Sequence, residues 1–517
     1  MNEKNASNPV TGAVMVVGGG IAGVQSALDL ADSGYYVYLV EKSPSIGGVM
    51  AQLDKTFPTN DCSMCILSPK LVEGGRHLNV QLITMADVQA IEGDAGNFTV
   101  TVQERPRYID MDKCIACGVC AEKCPKKVED AFNEGLGPRK AAYVKYPQAV
   151  PLKYVIDADN CIYFKSGKCK ACEKFCPASA VNFNQKPKTH TLQVGSVILA
   201  PGFQPFAPQV YDTYGYGKFP NVITSMQFER ILSASGPFEG HLERPSDRKA
   251  PKKIAWLQCV GSRDIHHGAH GYCSGVCCMY AIKEAVIAKE HSKEGLDTAI
   301  FFMDMRTYGK EFERYYDRAK NEAGVRFIRS RIHSIEAAAP GSDDLLLGYV
   351  DQNGKLQSEV FDMVVLSIGL EVSNDVRQLA DSLQIKLDDS GFSEMSSFAP
   401  VAWEARQASA CAPSRSALPP SRIRTFFFSR RIRATLRTAC GSACGVAIGG
   451  SGAATTPPSS QQVSEGRIMV ATWPGEFIAA CTAAAASAPT SAALVEVRTH
   501  CETPRAKPSV SAVSGAS

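Results

Sequence analysis

The fold is established by the stretch Ala13-Val14-Met15-Val16-Val17-Gly18-Gly19-Gly20-Ile21-Ala22-Gly23. Its first five residues are apolar and predict a buried strand, and Val24–Ser33 behind it has helix-forming composition. Gly18, Gly20 and Gly23 fit G-x-G-x-x-G, whose glycines allow a tight turn and a close approach of the backbone to a pyrophosphate. The sequence therefore predicts a dinucleotide site, with a glycine-rich turn that binds nothing as the alternative.

A second predicted strand, Tyr36–Val40, ends in Glu41, which is placed to accept hydrogen bonds from ribose hydroxyls. FAD is favoured over NAD because Gly47-Gly48 follows, and because Ser196–Gly202 and Val364–Gly369 are similar to the strand-end glycine motifs of two-dinucleotide-binding flavoproteins. A buried strand followed by a turn is the alternative for each of these two motifs. The residues expected to contact FAD are Gly18, Gly20, Ile21, Ala22, Gly23, Glu41, Lys42, Gly48 and Gly202.

Two cysteine runs lie between the two glycine-motif regions. The first is Cys114-x2-Cys117-x2-Cys120-x3-Cys124-Pro125, the bacterial four-iron pattern, and the second is Cys161-x7-Cys169-x2-Cys172-x3-Cys176-Pro177. In such paired runs the fourth cysteine of each binds the other cluster. We therefore predict one [4Fe-4S] cluster on Cys114, Cys117, Cys120 and Cys176, and another on Cys161, Cys169, Cys172 and Cys124. Zinc is the alternative, but zinc ribbons use separated C-x2-C pairs.

A third set of cysteines follows the strand predicted at Lys253–Gln258, where a two-dinucleotide enzyme would place its nicotinamide loop. Instead of G-x-G-x-x-G the chain has Cys259-Val260-Gly261-Ser262-Arg263. The spacing of the set is C-x13-C-x3-C-C, at the start of a predicted helix, Cys278–His291. We predict a further metal cluster in place of the pyridine-nucleotide site, on Cys259, Cys273, Cys277 and Cys278; small buried cysteines are the alternative.

Cys62 and Cys65 form a separate C-x2-C pair. Two ligands do not make a metal site. The pair could complete a cluster with another chain, form a redox dithiol near the flavin, or be buried, and the sequence does not choose among these.

The chain has 517 residues, of which 45% are hydrophobic and 21% charged, with a net charge of +3. This is a globular composition, and it gives no indication of nucleic-acid binding. No apolar run is long enough to cross a membrane and the N-terminus has no secretory pattern, so we expect a cytoplasmic protein. In a reducing compartment its closely spaced cysteines indicate metal sites rather than disulfides. Of the nineteen cysteines, twelve belong to the three sets, Cys62 and Cys65 stay unassigned, and the five in residues 401–517 have no ligand spacing. No catalytic side chain is assigned, since no Ser/His/Asp arrangement or acid–base pair indicates hydrolytic chemistry.

Alternating strands and helices outside the cysteine runs predict an α/β, doubly wound fold. We expect these divisions: 10–105, first part of an FAD domain; 106–190, an inserted α+β ferredoxin domain; 191–250, second part of the FAD domain; 251–345, a nicotinamide-domain-like region; 346–400, a return to the FAD domain; 401–517, a low-complexity tail. That tail has twelve basic and five acidic residues and no periodicity.

Residues 12–400 resemble a known family, the A subunit of heterodisulfide reductase, with its relatives in quinone-interacting oxidoreductase complexes of sulfate reducers. The motifs that carry the resemblance are Gly18–Gly23, Leu53–Cys62, both ferredoxin runs, Glu134–Lys140, Gln258–Asp264 and Tyr272–Cys278.

The resemblance implies a thioredoxin-reductase-like flavin fold with an inserted two-cluster ferredoxin domain, and a four-iron cluster on the third cysteine set. It also implies B and C subunits as partners, and a ferredoxin, hydrogenase or other electron-input module. The implied function is electron transfer between a donor, FAD and the clusters, with flavin-based bifurcation as one form of it. A non-catalytic relay subunit of a quinone-interacting complex is the alternative.

The family continues past Val401 into a strand and a glycine-rich segment, which this chain lacks. When Gln407–Arg415 is read with a shift of one nucleotide, however, it permits a sequence similar to the family's strand-end motif. We interpret the tail as the product of a frameshift, real or from sequencing, near codon 402. Resequencing that finds this frame intact would exclude the frameshift.

Overall fold

The computed structural model describes residues 11–394 apart from 267 and 293–294, together with three short segments at 402–406, 422–426 and 468–470. The N-terminal sheet is built on Ala13–Val17, which pairs in parallel with Tyr36–Glu41 on one side and with Ser196–Leu199 on the other. Its order in the described residues is Ala402–Arg406, Arg422–Phe426, Ile468–Val470, Ser196–Leu199, Ala13–Val17, Tyr36–Glu41, Val80–Thr84.

Two helices cover one face of this sheet, Ile21–Asp32 and Ser63–Arg76, with a 3-10 turn at Val49–Gln52 between them in sequence. Apolar residues from the sheet and the helices share one core, which includes Val16, Val24, Leu39, Leu67 and Leu71. Their burial fixes the first helix directly behind the glycine-rich turn.

A three-stranded antiparallel sheet, which the sequence did not predict, joins this domain to the cysteine-rich insert. Its strands are Ala86–Asp94, Asn97–Glu104 and Lys188–Val194. Asn97–Glu104 leads into the insert and Lys188–Val194 leaves it, and these two strands pair along seven residues. The pairing closes the insert as a loop whose two ends lie side by side.

The insert itself has short elements around a small core that contains four of its cysteines, Cys114, Cys120, Cys161 and Cys172. Because few of its backbone groups take part in long runs of strand pairing, we expect the binding of metal clusters to stabilise its structure. Its helices are Val119–Glu122, Ile162–Ser166 and Ala171–Lys174, and its strands are Lys127–Glu129, Pro138–Lys140, Ala142–Tyr143 and Val155–Ile156, with a 3-10 turn at Ala131–Asn133.

A second parallel sheet follows, and together with the first it confirms the predicted α/β fold class. Its order is Val222–Thr224, Met363–Ile368, Lys253–Val260, Asp297–Phe301, Arg326–Ile328. The helices of this part are Ser225–Leu232, Cys277–His291 and Phe312–Asn321; a smaller antiparallel sheet holds Ile335–Ala337, Leu345–Val350 and Leu356–Phe361. Further elements are Gln204–Pro205 paired with Leu370–Glu371, 3-10 turns at Pro208–Val210 and Asp212–Tyr214, and the helix Asn374–Ser382.

Sheet membership differs from the divisions expected at 191–250 and 346–400. Val222–Thr224 and Met363–Ile368 belong to the second sheet, because Met363–Ile368 pairs in parallel with both Val222–Thr224 and Lys253–Val260. The chain returns to the N-terminal domain only after residue 371, where Ala380, Leu383 and others pack on the core that includes Met15.

The tail also differs in part from its description as a segment without regular structure. Ile468–Val470 pairs in parallel with Ser196–Leu199, and Arg422–Phe426 pairs with Ala402–Arg406. Sequence periodicity does not reveal these strands, because segments of three to five residues are too short to show a period. The rest of residues 401–517, including the stretch of the proposed shifted motif, lies outside the described residues.

One buried arginine, Arg230, ties the three regions together. Its guanidinium donates to the carbonyl of Gln52 in the N-terminal domain and to the side chain of Asn133 in the insert, each at 3.0 Å. Gln52 in turn donates to Glu134 at 2.7 Å. The insert is therefore held against both parallel-sheet domains. In the described part of the chain, no helix has the length and apolarity needed to cross a membrane.

Candidate cofactor sites

The glycine-rich turn is held by close backbone contacts that admit no side chain at two positions. Gly18 has φ +106°, and a Cβ there would lie 2.1 Å from the carbonyl oxygen of Ala200. A Cβ on Gly23 would lie 1.8 Å from the carbonyl oxygen of Gly18. Both glycines are required by packing alone, whether or not a nucleotide is bound.

Gly20 is different, because the nearest heavy atom to a Cβ there is the Cα of Gly48, at 4.0 Å. Gly20 is the N-cap of Ile21–Asp32 and provides no side-chain cap to the first-turn N–H groups. Those donors and the positive end of the helix dipole suit an anionic group such as a pyrophosphate. Ile21 and Ala22, which the sequence also assigned to this site, form the first turn of that helix.

Glu41 lies beside the turn, as the register of the strands requires. One carboxylate oxygen accepts from the backbone N–H of Gly19 at 2.6 Å and the other from that of Ser43 at 2.8 Å. Lys42 forms an exposed ion pair with Asp375 of the helix Asn374–Ser382. Gly202, at φ +78°, has open space around it. Glu41 thus positions the loop in addition to its predicted contact with ribose.

Side chains of the insert hold loop 43–48 from the other side, and no sequence pattern pointed to them. Arg107 donates to a loop carbonyl at 2.6 Å, Lys145 donates to the hydroxyl of Ser43 at 2.9 Å, and Tyr146 donates to another loop carbonyl. Burial lowers the pKa of Arg107 to about 10 and lowers that of Lys145. Only pairing across 60 or more residues brings these side chains to the loop, which is why local patterns miss them.

The cysteines of the insert form two separate sets, each around its own cavity of about 320 Å³. One cavity is lined by Cys114, Cys117, Cys120 and Cys176. The other is lined by Cys124, Cys161, Cys169 and Cys172. The fourth cysteine of each run therefore lies with the first three of the other run, which is the crossed arrangement expected from the spacing.

The surroundings of these cavities fit thiolate-bound clusters. The remaining walls are largely apolar, and burial raises the pKa of Cys120 to about 12 and that of Cys172 to about 11. A bound cation compensates the charge that burial otherwise disfavours. Within the described residues, no three His, Cys, Asp or Glu side chains could hold a single metal ion; a four-iron cluster differs in placing each thiolate on a separate iron.

The third set lies at the end of the strand Lys253–Val260. A bulge interrupts the pairing between Leu257 and Val260, and Cys259 there has φ +61°. Bulges change the direction of a side chain. Cys277 is the first residue of the helix Cys277–His291. A hydrogen bond between the side chains of Cys259 and Cys277 raises the pKa of Cys259. Cys278 is also buried, whereas Cys273, in the preceding loop, is half-buried.

A cavity lies between the two parallel-sheet domains. Leu53, Phe57 and Phe203 line it from the N-terminal side, and the helices Ser225–Leu232 and Cys277–His291 line it from the other. Apart from a few charged groups, its walls are apolar. This is the environment of an aromatic ligand rather than of a highly charged one.

The ionisable side chains in and beside this wall are buried and interact with one another electrostatically. Lys283 pairs with Glu229 at 2.6 Å, with both side chains at most 3% exposed. Trp256 donates to Glu284 at 2.9 Å, and burial raises the pKa of Glu284 well above its ordinary value. Burial, with repulsion from Glu229, raises the pKa of Asp54 to about 6. Burial therefore favours the protonated form of Glu284, beside one compensated ion pair.

Two family models match the chain at these sites. Residues 13–65 match "FAD dependent oxidoreductase" and residues 107–128 match "4Fe-4S binding domain". The first match contains the glycine-rich turn and Glu41, and the second contains the first cysteine run. They confirm FAD and four-iron clusters as the cofactors, while the assignment of individual ligands stays a prediction.

Curated relatives extend the match over most of the chain. The iron-sulfur A subunit of the CoB–CoM heterodisulfide reductase of Methanocaldococcus jannaschii is 48% identical over 379 residues, which are 73% of this chain. The A subunit of the H2:CoB–CoM heterodisulfide,ferredoxin reductase of Methanothermobacter thermautotrophicus is 44% identical over 383 residues. The chain is a homologue of heterodisulfide reductase A subunits. It spans 56% of the length of each of these two relatives.

Solved structures that match include thioredoxin reductases of Lactococcus lactis and T. acidophilum. Each is 13% identical, with TM-scores of 0.38 and 0.39; the matches cover 74% of this chain and 85% and 84% of those chains. The fold assignment above rests on the sheet topology and on the family models.

Replacing Gly20 by alanine tests the nucleotide cradle without disturbing the packing. Because the nearest atom to the new Cβ is 4.0 Å away, we expect Gly20→Ala to fold and to bind FAD at least about tenfold more weakly. Flavin absorbance after desalting and a titration with FAD measure this. Gly12→Ala, at an exposed position with open space around it, is the control. Unchanged FAD affinity in Gly20→Ala would contradict the assignment.

The crossed cysteine sets make a prediction for double variants. Cys124→Ala and Cys169→Ala should each remove about four iron atoms, and the double variant should lose no more than either single variant. Cys120→Ala combined with Cys124→Ala should lose about twice as much. Iron and acid-labile sulfide analysis measures both. The crossed assignment is wrong if the Cys120/Cys124 double variant loses only as much iron as a single variant while the Cys124/Cys169 double variant loses about twice as much.

Asp54 should make stability depend on pH. Its folded pKa of about 6 lies above the ordinary 3.8, so stability is fully present below about pH 4 and is lost as the pH rises through about 6. Asp54→Asn removes a cost of about 3 kcal/mol at full ionisation. Its melting temperature should therefore exceed that of the wild type by more at about pH 7.5 than at about pH 5. Asp61→Asn, at an exposed carboxylate nearby, serves as the control; a pH-independent gain would argue against the assignment.

Proposed function

We propose that this chain is an electron-transfer subunit of a heterodisulfide-reductase-like complex, passing electrons between a donor module, FAD and [4Fe-4S] clusters. The observation that carries the proposal is the position of the interdomain cavity. It lies between the segment that follows the nucleotide cradle and the helix that begins at the third cysteine set.

The two sides of the cavity explain why these cofactors belong together. Gly48 of the cradle leads into the turn Val49–Gln52, and the next residue, Leu53, lines the cavity. On the opposite side, the two residues that follow Cys278, Met279 and Tyr280, line it. We infer that the ring system of FAD occupies this cavity, with the third cysteine set within one helical turn of its wall.

Bound FAD exchanges electrons in pairs or singly, and the clusters accept them one at a time. The chain contributes the surroundings. Leu53, Phe57 and Phe203 form an apolar wall of the cavity, and Lys283 and Glu229 place a fixed, compensated charge pair in its wall. Burial raises the pKa of Glu284 and so favours its protonated form.

The second sheet argues against direct oxidation of a nicotinamide. Where such a domain has a glycine loop, the strand ends at the bulged Cys259, and the next helix begins only at Cys277. The segment between them contains Arg263, paired with Asp304, rather than a phosphate cradle. We infer that electrons enter or leave through iron–sulfur sites.

The partners follow from the same inference. A relative from Methanosarcina mazei is named as the A subunit of a ferredoxin:CoB–CoM heterodisulfide reductase. We propose B- and C-like subunits and a ferredoxin or another electron-input module as the partners of this chain. A relay subunit that never reduces a bound flavin is the competing function.

Reduction of the purified, cofactor-loaded chain under anaerobic conditions separates the two functions. We expect reduced ferredoxin to bleach the flavin absorbance, and NADH or NADPH to leave it unchanged over the same period. Cys259→Ala tests the route and should slow bleaching by ferredoxin at least about tenfold while FAD stays bound. Rapid bleaching by NADPH would contradict the absence of a nicotinamide route, and bleaching by neither donor would favour the relay function.

A further inference from the structure

Cys62 and Cys65 belong to none of the three cysteine sets, and they lie against each other. Their sulfur atoms are 2.7 Å apart, and both are free thiols, with Cys65 exposed and Cys62 half-buried. A C-x2-C pair in contact and open to solvent is the arrangement that closes into a disulfide with little movement of the chain.

The two thiols are not equivalent. Cys62 is the N-cap of the 14-residue helix Ser63–Arg76, and its Sγ accepts from the backbone N–H of Cys65 at 3.3 Å and from the Cys65 thiol. Both donors and the N-terminus of the helix converge on the Cys62 sulfur. Donating to Cys62 raises the pKa of Cys65. The direction of the hydrogen bond therefore assigns Cys62 as the attacking sulfur and Cys65 as the resolving thiol.

The backbone around the pair is firmly held. The buried Ser63 hydroxyl donates to the carbonyl of Met50 at 2.7 Å, and its N–H donates to the carbonyl of Asp54 at 3.0 Å. The backbones of Cys62 and Lys55 form an isolated antiparallel β-bridge. The carbonyl of Lys55 accepts a hydrogen bond at 2.8 Å from the side chain of Lys283, which lines the interdomain cavity. The pair is thus fixed at the surface end of the segment that lines the cavity.

We propose that Cys62 and Cys65 are a redox-active dithiol that exchanges with an external disulfide of a small thiol or a thioredoxin-type protein. Cys62 loses its proton, and its thiolate attacks one sulfur of the disulfide, whose S–S bond breaks; one thiolate leaves and takes up a proton. Cys65 then loses its proton and attacks Cys62, which releases the second thiol and closes the Cys62–Cys65 disulfide. The external disulfide gains two electrons and two protons, and the pair loses the same number.

This function is independent of the proposed electron-transfer function, since neither FAD nor a cluster takes part in the exchange. It also differs from a cluster shared with another chain, which would need both sulfurs as thiolates on iron. The two possibilities differ in what serine variants do to the iron content.

Trypsin gives a direct readout, because Thr56–Lys70 is a single peptide that contains these two cysteines and no others. The cofactor-loaded chain is incubated anaerobically with glutathione at a series of disulfide-to-thiol ratios, alkylated under denaturing conditions, digested and analysed by mass spectrometry. We expect the peptide to convert in one two-electron transition from two alkylated thiols to an internal disulfide.

Single variants test the assigned roles. Cys65→Ser should accumulate a mixed disulfide of glutathione on Cys62, at a rate about tenfold higher than Cys62→Ser forms one on Cys65. Cys62→Ser/Cys65→Ser should keep the iron content and the flavin of the wild type. A peptide that stays doubly alkylated at every ratio, or iron loss in the double variant, would overturn the proposal; iron loss would indicate cluster ligands.

Discussion

The carbonyl oxygen of Ala200 lies where a side chain on residue 18 would have to be, and the rest of the structure depends on this backbone contact. It brings the strand that follows the insert against the first strand of the chain, although about 180 residues separate them. The two ends of the insert are thereby joined on one sheet. The contact thus acts together with the side-chain hydrogen bonds that fix the cysteine-rich domain against the loop beside the glycine-rich turn.

The insert is part of the nucleotide site as well as a carrier of clusters. Arg107, Lys145 and Tyr146 hold the loop after Glu41, while Arg230 joins the insert to both parallel-sheet domains. Several of these side chains are buried with their charge, which is costly unless every donor is satisfied. Such contacts give the cofactor sites a defined relative position, which electron transfer between them requires.

The interdomain cavity combines apolar walls with a small group of buried charges. Lys283 and Glu229 compensate each other's charge, and burial raises the pKa of both Glu284 and Asp54, which disfavours further negative charge there. Apolar walls with a few fixed charges suit an aromatic redox group, whose potential then depends on few interactions. The helix that carries Lys283 and Glu284 begins at Cys277, which links these surroundings to the third cysteine set.

Features that depend on local spacing could be predicted from the sequence alone: the glycine turn, the strand that ends in Glu41, and the three cysteine sets. Spacing suffices for the glycine turn, because one turn brings its residues together. The crossed ferredoxin sets join cysteines far apart in the chain, such as Cys114 and Cys176, and could be predicted only because paired runs of this spacing have a known arrangement. The tertiary fold was needed to establish which strands join the second sheet, that Arg107 and Lys145 reach loop 43–48, and that Lys283 meets Glu229. Those contacts join residues about 50 to 140 positions apart, and no local pattern encodes which distant segment a strand or side chain will meet. Cys62 and Cys65 lie between the two cases, since their spacing was visible but only the fold showed their contact and their exposure.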